Sequence, residues 1–220
     1  MQKQRAPRNK TLELSQEEEN TCLAKCLKAE TVADSDVINK TICGDTFAIL
    51  PRLPHKFVDL LIVDPPYNLS KNYHGKKFVS TDDKTYAEYT RKWIEAVLPT
   101  LKSNASIYVC CDWKSSLVIG KVLQDYFIVR NRITWQREKG RGAAKNWKNG
   151  MEDIWFATVS DDYTFNLDAV KIRKKVLAPY RQNGEPKDWE ETENGNYRNT
   201  CPSNFWDDIS IPYWSMPENT

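Results

Sequence analysis

The hydrophobic positions of this chain form short runs that predict a sheet whose strands are separated by helices. Residues 57–63, Phe-Val-Asp-Leu-Leu-Ile-Val, are nearly all apolar and β-prone, which is typical of a buried parallel strand. Apolar residues recur at helical spacing over 85–101. The other predicted elements are a strand over 39–45, a helical turn over 46–53, a strand over 105–111, a helix over 114–124, and strands over 127–135 and 153–159.

The order of these elements predicts an α/β fold. The last two strands have no helical pattern between them, so we expect them to pair antiparallel. The earlier strands are separated by helical segments, which favours parallel pairing through crossover helices. The predicted architecture is therefore a Rossmann-like parallel sheet that carries an antiparallel hairpin at one edge.

Three polar stretches divide the chain. Residues 1–20 are polar and rich in charge, and we expect a flexible leader there, followed by a short amphipathic helix around 21–29. Residues 68–84 form a polar connection of a length that is often found in lids. Beyond about residue 160 the chain is rich in Pro, Gly, Asn and charge. We therefore predict a leader over 1–20, a main α/β part over 21–160 and a connecting or recognition segment over 161–220.

Composition and net charge exclude several classes of protein. A formal net charge of +2 over 220 residues excludes a histone-like polycation, so contact with nucleic acid needs a local basic surface. No apolar run reaches the roughly 18 residues of a spanning helix, and no apolar segment follows the basic N-terminus as in a signal peptide. We expect a cytoplasmic protein whose six Cys are thiols. With two His and no C-x-x-C pair, a metal site is not expected.

The most informative segment is Asp64-Pro65-Pro66-Tyr67, which directly follows the predicted strand over 57–63. Each proline fixes its own φ and disfavours the helical region for the residue before it, so the strand stops here. Open α/β sheets bind their ligands at the carboxyl ends of strands. A carboxylate acceptor, a rigid backbone carbonyl and an aromatic face at that position suit recognition of an exocyclic amino group on a flat base.

This tetrapeptide resembles the catalytic motif of the DNA amino-methyltransferases, which transfer a methyl group from S-adenosylmethionine to adenine N6 or cytosine N4. The resemblance implies that the Asp64 side chain and the Pro65 carbonyl accept hydrogen bonds from the target amino group, which favours a nitrogen whose lone pair can attack the methyl group. It also implies that Tyr67 stacks on a base flipped out of the duplex. On this resemblance Asp64, Pro65, Pro66 and Tyr67 are catalytic, and the fold is that of the methyltransferases that use S-adenosylmethionine.

The resemblance runs from about residue 39 to the end of the chain. It is closest to the permuted adenine methyltransferases of restriction-modification systems, in which the catalytic half precedes the cofactor half. It implies that Asp45 and Asp64 contact the cofactor, although an Asp after a strand can also cap a helix. Asn68, which follows the tetrapeptide, would contact DNA or pin the turn. Residues 152–156 resemble a strand that walls the base pocket, and 204–209 resemble the segment before the family's second half.

A basic loop lies between the two strands that are predicted to pair antiparallel. Its glycines allow the backbone to approach a ligand closely, and its tryptophan offers a stacking face. Many basic loops are only solvated, but at this edge of the fold we expect contacts with the phosphates of double-stranded DNA. The expected DNA-binding residues of the loop are Arg137, Lys139, Arg141, Lys145, Trp147 and Lys148.

The sequence lacks the pattern expected for the cofactor half of the family. The one G-x-G pattern, Gly140-Arg141-Gly142, lies within the basic loop and not directly after a strand. In the family the strand before that loop lies beside the catalytic strand, so residues 57–63 are expected to expose an unpaired edge and an uncovered face. We therefore expect a fold that is incomplete in this chain, completed by a missing C-terminal half or a complementary subunit, and no methyl transfer by the chain alone.

Three alternatives to adenine-N6 transfer stay open. Cytosine-N4 transfer is less favoured, because the cytosine enzymes of the family usually have Ser in place of Asp64. Protein-glutamine and RNA methyltransferases usually begin this motif with Asn. A DNA-binding or subunit-forming relic of the fold would have lost the cofactor, so binding of S-adenosylmethionine separates it from the enzymes.

Overall fold

The structure, a computed structural model, describes residues 14–34, 36–73, 76–137, 144–177 and 180–209. The helices in chain order are α1 (Gln16–Ala24), α2 (Thr46–Ile49), α3 (Asp83–Val97), α4 (Ser115–Leu123) and α5 (Leu167–Val170), with 3-10 turns at Val32–Asp34, Leu50–Arg52 and Leu98–Thr100. The strands are β1 (Leu27–Lys28), β2 (Ile42–Cys43), β3 (Val58–Val63), β4 (Lys71–Tyr73), β5 (Lys76–Phe78), β6 (Leu101–Cys111), β7 (Ile128–Gln136), β8 (Met151–Thr158), β9 (Ile172–Lys175), β10 (Arg181–Gln182), β11 (Glu185–Pro186), β12 (Glu190–Thr192), β13 (Gly195–Thr200) and β14 (Phe205–Trp206). The described residues form two compact units, one within 1–163 and 205–220 and the other within 164–204.

The larger unit is built on a five-stranded sheet in the order β14-β7-β8-β6-β3. β3 runs parallel to β6, whereas β8 pairs antiparallel with both β6 and β7. β14 pairs parallel with β7. The predicted α/β fold and its antiparallel hairpin of β7 and β8 are confirmed, but the described sheet is mixed rather than mostly parallel.

Helices α3 and α4 pack against one face of this sheet. α3 begins after Asp82, whose carboxylate accepts a hydrogen bond from the backbone N–H of Thr85 at 2.8 Å. The residues of α3 that recur at helical spacing are buried: Tyr86, Thr90, Trp93, Ile94 and Val97. Alternate residues of β6 meet them because the side chains of a strand alternate between faces, and the fully buried ones are Ala105, Ile107, Val109 and Cys111.

The strand that leads into the predicted catalytic motif lies at the edge of the described sheet. Among the described strands β3 pairs only with β6, and Leu60 and Ile62 are 52% and 67% exposed. Leu61 and Val63 point to the opposite face and pack against the core. The expected open edge and uncovered face are therefore confirmed for the described residues, whereas the prediction of a buried strand is wrong for half of its side chains.

The structure contains more order near the N-terminus than the sequence predicted. α1 begins at Gln16, inside the expected leader, because Ser15 and Glu18 form a reciprocal capping box with N–H to oxygen distances of 3.3 and 2.8 Å. None of its residues is buried, so it is not the amphipathic helix predicted over 21–29. The capping-box spacing Ser-x-x-Glu was the signal for this helix. Residues 1–13 of the leader lie outside the described part of the chain.

The polar connection after the motif holds an antiparallel hairpin of β4 and β5. The Ser80 backbone N–H donates to the Ser70 hydroxyl oxygen at 3.1 Å, which joins the two ends of the hairpin. The segment predicted as a lid is therefore a hairpin with a closed base.

The smaller unit contains a three-stranded sheet in the order β12-β13-β9 and the β10–β11 hairpin. β13 is the central strand and pairs antiparallel with both neighbours. Trp189 is 8% exposed, and its indole N–H donates to the Tyr180 carbonyl at 2.7 Å. The sequence predicted a connecting segment here and no sheet, because these short strands are polar and carry no hydrophobic run.

Gly120 lets α4 lie directly against β8. A Cβ atom at Gly120 would lie 2.2 Å from Cζ2 of Trp155, and the indole N–H of Trp155 is held by the Ser116 hydroxyl at 3.1 Å. We therefore expect Gly120→Ala to lower the free energy of unfolding by about 1–3 kcal/mol, as overpacking of a core does. Chemical denaturation measures this loss.

The cause can be tested with a double-mutant cycle. If the added methyl group strikes the indole ring, Trp155→Leu will destabilise the Gly120→Ala protein less than it destabilises the unmodified protein. An equal loss in both backgrounds would contradict the packing shown between Gly120 and Trp155.

Candidate active site

Strand β3 delivers Asp64 to the carboxyl edge of the sheet. Asp64 follows the last residue of β3 and is exposed, whereas Pro65 is buried. The Tyr67 hydroxyl donates to Asp64 Oδ1 at 2.5 Å, and the Tyr86 hydroxyl donates to the Pro66 carbonyl at 2.7 Å. The turn is therefore held from within by its own tyrosine and from outside by helix α3.

Two acceptors of this turn stay open. Among the described residues, no donor forms a hydrogen bond with Asp64 Oδ2 or with the Pro65 carbonyl oxygen. They belong to adjacent residues at one edge of the sheet. These are the acceptors that the sequence predicted, whereas the Pro66 carbonyl is occupied by Tyr86 and serves to anchor the turn.

Tyr67 is a neutral hydrogen-bond donor in this site. Burial raises the pKa of the Tyr67 phenol far above its ordinary value, and the hydrogen bond to Asp64 raises it further. The phenol therefore keeps its proton throughout the physiological range. Its ring is half-buried, so part of the ring surface stays accessible beside the Asp64 carboxylate.

Three further side chains belong to the same group of interacting charges. Cys110, near the end of β6, has its pKa raised to about 11 by burial first and then by the negative charges of Asp64 and Glu152, while Arg137 acts in the opposite direction. Glu152, near the start of β8, is 6% exposed and adds to the raised pKa of Tyr67. The Asp64 turn therefore interacts electrostatically with side chains of β6 and β8.

Arg137 compensates the buried carboxylate of Glu152. Its Nη1 atom lies 2.7 Å from Glu152 Oε2, and its guanidinium carbon lies 4.9 Å from the centre of the Trp135 ring. The sheet register produces this arrangement, because Trp135 and Glu152 are partners across the β7–β8 ladder. A buried carboxylate without such a partner would be strongly unfavourable. The DNA contact that the sequence predicted for Arg137 stays a prediction, and in the structure its guanidinium is paired with Glu152.

A cavity of ≈ 460 Å³ opens next to the turn. Tyr67 and Tyr86 line it on the side of the turn, Ser70 and Ser80 on the side of the hairpin, and Lys114 at the start of α4. Its volume falls within the range of about 300–1,000 Å³ that is usual for small-molecule sites. It therefore offers space for a nucleotide-sized group next to Tyr67.

Asn68 closes the loop that contains the hairpin. Its backbone has φ of 55°, in the left-handed region that Asn tolerates. Its Oδ1 accepts from the Thr81 backbone N–H at 2.8 Å, and its Nδ2 donates to the Thr81 carbonyl at 2.9 Å. The structure thus shows the turn-pinning role, and the amide is engaged through both of its polar atoms.

Asp45 caps helix α2. Its Oδ1 accepts from the Ala48 backbone N–H at 3.1 Å, which is the capping role that the sequence allowed. The side chain is exposed, and its charge adds to the effect of burial in raising the pKa of Tyr89. Its second oxygen stays free of described donors, so the cap does not exclude a cofactor contact.

The basic loop is only partly described. Lys145, Trp147 and Lys148 are exposed, and Trp147 reaches 93% exposure. Lys139 and Arg141, the other expected phosphate contacts, lie outside the described residues. The exposed part of the loop is compatible with a solvated loop and with a surface that meets DNA.

Two negative observations concern the described residues. No group of three or more His, Cys, Asp or Glu side chains is placed there to hold a metal ion. In the same part of the chain, no helix has both the length and the apolar character to cross a membrane.

The chain matches the model of the family described as DNA methylase, of the N6/N4 type, over residues 58–218. It belongs to this DNA methylase family. The match begins at the first residue of β3 and includes the whole Asp64 turn. The predicted relationship to the DNA amino-methyltransferases is confirmed, and S-adenosylmethionine is the methyl donor of the DNA methylase family.

Two curated relatives show how much of a DNA methylase this chain spans. The Type II methyltransferase M.HpaI of Haemophilus parainfluenzae is 31% identical over 181 residues, which are 79% of this chain and 52% of that protein. The DNA adenine methyltransferase YhdJ of Escherichia coli (strain K12) is 29% identical over 182 residues, 79% of this chain and 59% of that protein. The chain spans a little over half the length of these relatives. The expectation of a missing cofactor half or a complementary subunit stays a prediction.

The fold is shared with a solved DNA methylase. The PvuII DNA methyltransferase, described as cytosine-N4-specific, is similar with a TM-score of 0.53 and 13% identity, over 78% of this chain and 56% of that chain. At this identity the likeness establishes the α/β methyltransferase fold and carries no information on the target base.

Proposed function

We propose that this DNA methylase transfers a methyl group from S-adenosylmethionine to adenine N6 at a specific site in duplex DNA, in a restriction-modification system. The observation that carries the proposal is the Asp64 turn, where an exposed carboxylate and an open Pro65 carbonyl lie at the end of a strand beside Tyr67. The Asp that begins the motif favours adenine within the family. One relative of similar identity is named a DNA adenine methyltransferase.

The two open acceptors match the two N–H donors of an exocyclic amino group. When Asp64 and the Pro65 carbonyl hold both N–H groups, the nitrogen is drawn from its planar, conjugated form and its lone pair becomes available. S-adenosylmethionine, when bound, would supply an electrophilic methyl group, and the electron pair of its broken sulfur–methyl bond would stay on the sulfur of the departing S-adenosylhomocysteine. The nitrogen gains positive charge as the new bond forms, so the hydrogen bond to the Asp64 carboxylate strengthens in the transition state. The surplus proton then leaves the nitrogen for Asp64 or for water.

Tyr67 orients the base for this reaction. An amino group that is paired inside a duplex cannot reach a turn at the edge of a sheet, so the proposal includes base flipping. The Tyr67 ring offers the flipped base a stacking surface, and the adjacent ≈ 460 Å³ cavity offers it space. The hydroxyl bond to Asp64 fixes the ring and the carboxylate relative to each other.

Asp64 and Asp45 fit the role of cofactor contacts. Each has one carboxylate oxygen engaged by a described donor and the other free of described donors. S-adenosylmethionine carries amino and hydroxyl groups, which need such acceptors. Asp45 would hold a donor group of the cofactor, and Asp64 would serve both the cofactor and the target amino group.

The neighbouring charges support this use of Asp64. Glu152 adds a second negative charge near the turn, and Arg137 offsets it through the 2.7 Å ion pair. The pair therefore keeps the wall of the base pocket close to neutral, so that an adenine with its acceptor nitrogens is not repelled. In this proposal Arg137 neutralises Glu152 within the site. Asn68 holds the loop closed through its hydrogen bonds with Thr81.

The exposed loop after β7 supplies contacts with the DNA backbone. Lys145, Lys148 and Trp147 are exposed, and Lys139 and Arg141 belong to the same loop. The lysine and arginine side chains of this loop would bind phosphates and hold the duplex without reading its sequence.

The proposal is tested by the modified base that appears in DNA. We expect the complete enzyme, in which this chain is joined by the predicted cofactor half, to place N6-methyladenine in one sequence context of the genome when it is expressed in a host without DNA methylation. Mass spectrometry of digested DNA identifies the base, and single-molecule sequencing identifies the context. N4-methylcytosine would overturn the base assignment. The absence of both methylated bases, with the complete enzyme present in folded form, would overturn methyl transfer and favour a DNA-binding relic.

A further inference from the structure

We propose that Lys174 and Arg198, on the smaller unit, bind phosphates of the DNA duplex. The two residues lie on neighbouring strands, β9 and β13, as direct cross-strand partners. Both are exposed. The proposal rests on the proposed function, because duplex DNA is the substrate that it invokes.

The pairing of these two cations is unfavourable unless an anion is bound. Directly opposed residues of an antiparallel pair have Cβ atoms about 4.5–5.5 Å apart, and like charges at such positions destabilise a sheet. Among the described residues, no carboxylate forms an ion pair with Lys174 or Arg198. The local structure therefore holds two adjacent positive charges without compensation.

Other cations of the same unit are compensated. Their ion pairs are Lys171–Asp168 at 2.7 Å, Arg173–Glu190 at 3.0 Å and Arg181–Glu191 at 3.1 Å. Acidic side chains are thus present in the unit, but they are matched to other partners. The lack of compensation is a property of the Lys174–Arg198 position and not of the composition of the unit.

The two faces of the β12-β13-β9 sheet carry different pairs of cations. Side chains alternate along a strand, so Lys174 and Arg198 share one face, while Arg173 and Lys175 lie on the other. Glu191 shares the first face, but its carboxylate binds Arg181. The first face therefore presents a Lys and an Arg side by side, ready for one anion.

A phosphate of the duplex backbone fits this arrangement. Its oxygens accept hydrogen bonds from an ammonium and a guanidinium at the same time. Such contacts fix the position of the duplex and carry no sequence information. The inferred role is to orient the DNA on the smaller unit, with bases read by other residues.

The test compares two double variants that remove the same charge from opposite faces. Lys174→Ala/Arg198→Ala removes the proposed site, and Arg173→Ala/Lys175→Ala is the matched control. Binding of residues 1–220 to short labelled duplexes is measured by fluorescence anisotropy over a range of salt concentrations. We expect the first variant to bind every duplex about 10–100-fold more weakly at 0.1 M salt and to lose about 0.9 of log–log slope per phosphate contact, with the control close to the unmodified protein.

Several results would overturn the proposal. These are equal losses in the two double variants, no loss in either, a loss confined to one DNA sequence, a loss for RNA but not for duplex DNA, and no binding of duplex DNA by the unmodified chain. Circular dichroism checks that each variant is folded, and Lys174→Arg/Arg198→Lys, which keeps both charges, should bind like the unmodified protein. The assay needs no methyl transfer, so a failure of the catalytic proposal would be seen separately in the methylated-base experiment.

Discussion

Replacement of Asp64 by alanine in the complete enzyme, this chain together with the predicted cofactor half, is expected to lower the rate of methyl transfer by a factor of about 10²–10³ or more, while affinity for duplex DNA changes by no more than a few-fold. The substitution removes the charged acceptor that strengthens its hydrogen bond as the target nitrogen becomes positive. It leaves the Pro65 carbonyl and the proposed phosphate contacts in place. Transfer of a radiolabelled methyl group to duplex DNA measures the first effect, and a binding assay measures the second.

Asp59 provides a control on the same strand. Asp59 lies on β3, is exposed, and accepts a hydrogen bond from Lys102 at 2.7 Å, so Asp59→Ala removes the same charge from the same element. Exposed ion pairs contribute little to stability, and we expect this variant to keep its activity. Asp64→Asn keeps an acceptor oxygen without the charge, so its activity should fall between those of alanine and aspartate. Turnover of Asp64→Ala near the level of Asp59→Ala would remove Asp64 from the chemistry.

Replacement of Tyr67 by alanine is expected to weaken capture of the flipped base by about 5- to 150-fold, since stacking contributes roughly 1–3 kcal/mol per base. Turnover should fall with it, because a base that is poorly held leaves its amino group away from Asp64 and Pro65. Tyr67→Phe and Tyr67→Trp keep a ring and should be milder. Fluorescence of 2-aminopurine at the target position reports the flipped population.

The two aromatic variants separate the ring of Tyr67 from its hydroxyl. Tyr67→Phe loses the hydrogen bond to Asp64 but retains the stacking surface. We expect its 2-aminopurine signal to match the unmodified protein, with a smaller loss in turnover than that of Tyr67→Ala. An unchanged signal in Tyr67→Ala would show that the ring packs against the protein and does not hold the base.

The elements with long hydrophobic runs were predictable from the sequence. β3, β6, β7 and β8 were each expected within a few residues, because a run of apolar and β-branched residues reflects burial in a sheet. Helix α3 was equally clear, since its buried residues recur at helical spacing. The strands of the smaller unit were missed because they are short, polar and stabilised by pairing with one another.

The roles of individual polar residues were less predictable. The sequence allowed Asn68 either to contact DNA or to pin the turn. Only the hydrogen bonds with Thr81 across the base of the hairpin show the turn-pinning role. Arg137 was grouped with the cations of its loop because charge is the only property that the sequence shows. Its partner Glu152 is 15 positions away and becomes adjacent only through the β7–β8 register.

The sequence by itself determined the Asp64 turn, because its chemistry is local: two prolines end a strand, and the acceptors and the aromatic ring are covalent neighbours of that end. The family resemblance predicted the open edge that β3 has among the described strands. Only the tertiary structure decided which charges surround the turn and which cations remain uncompensated. Asp64 follows β3, whereas Cys110 lies in β6 and Glu152 in β8. Lys174 meets Arg198 through the pairing of β9 with β13. The reason is physical, since electrostatic interactions depend on distance in space and burial, and strand register sets both.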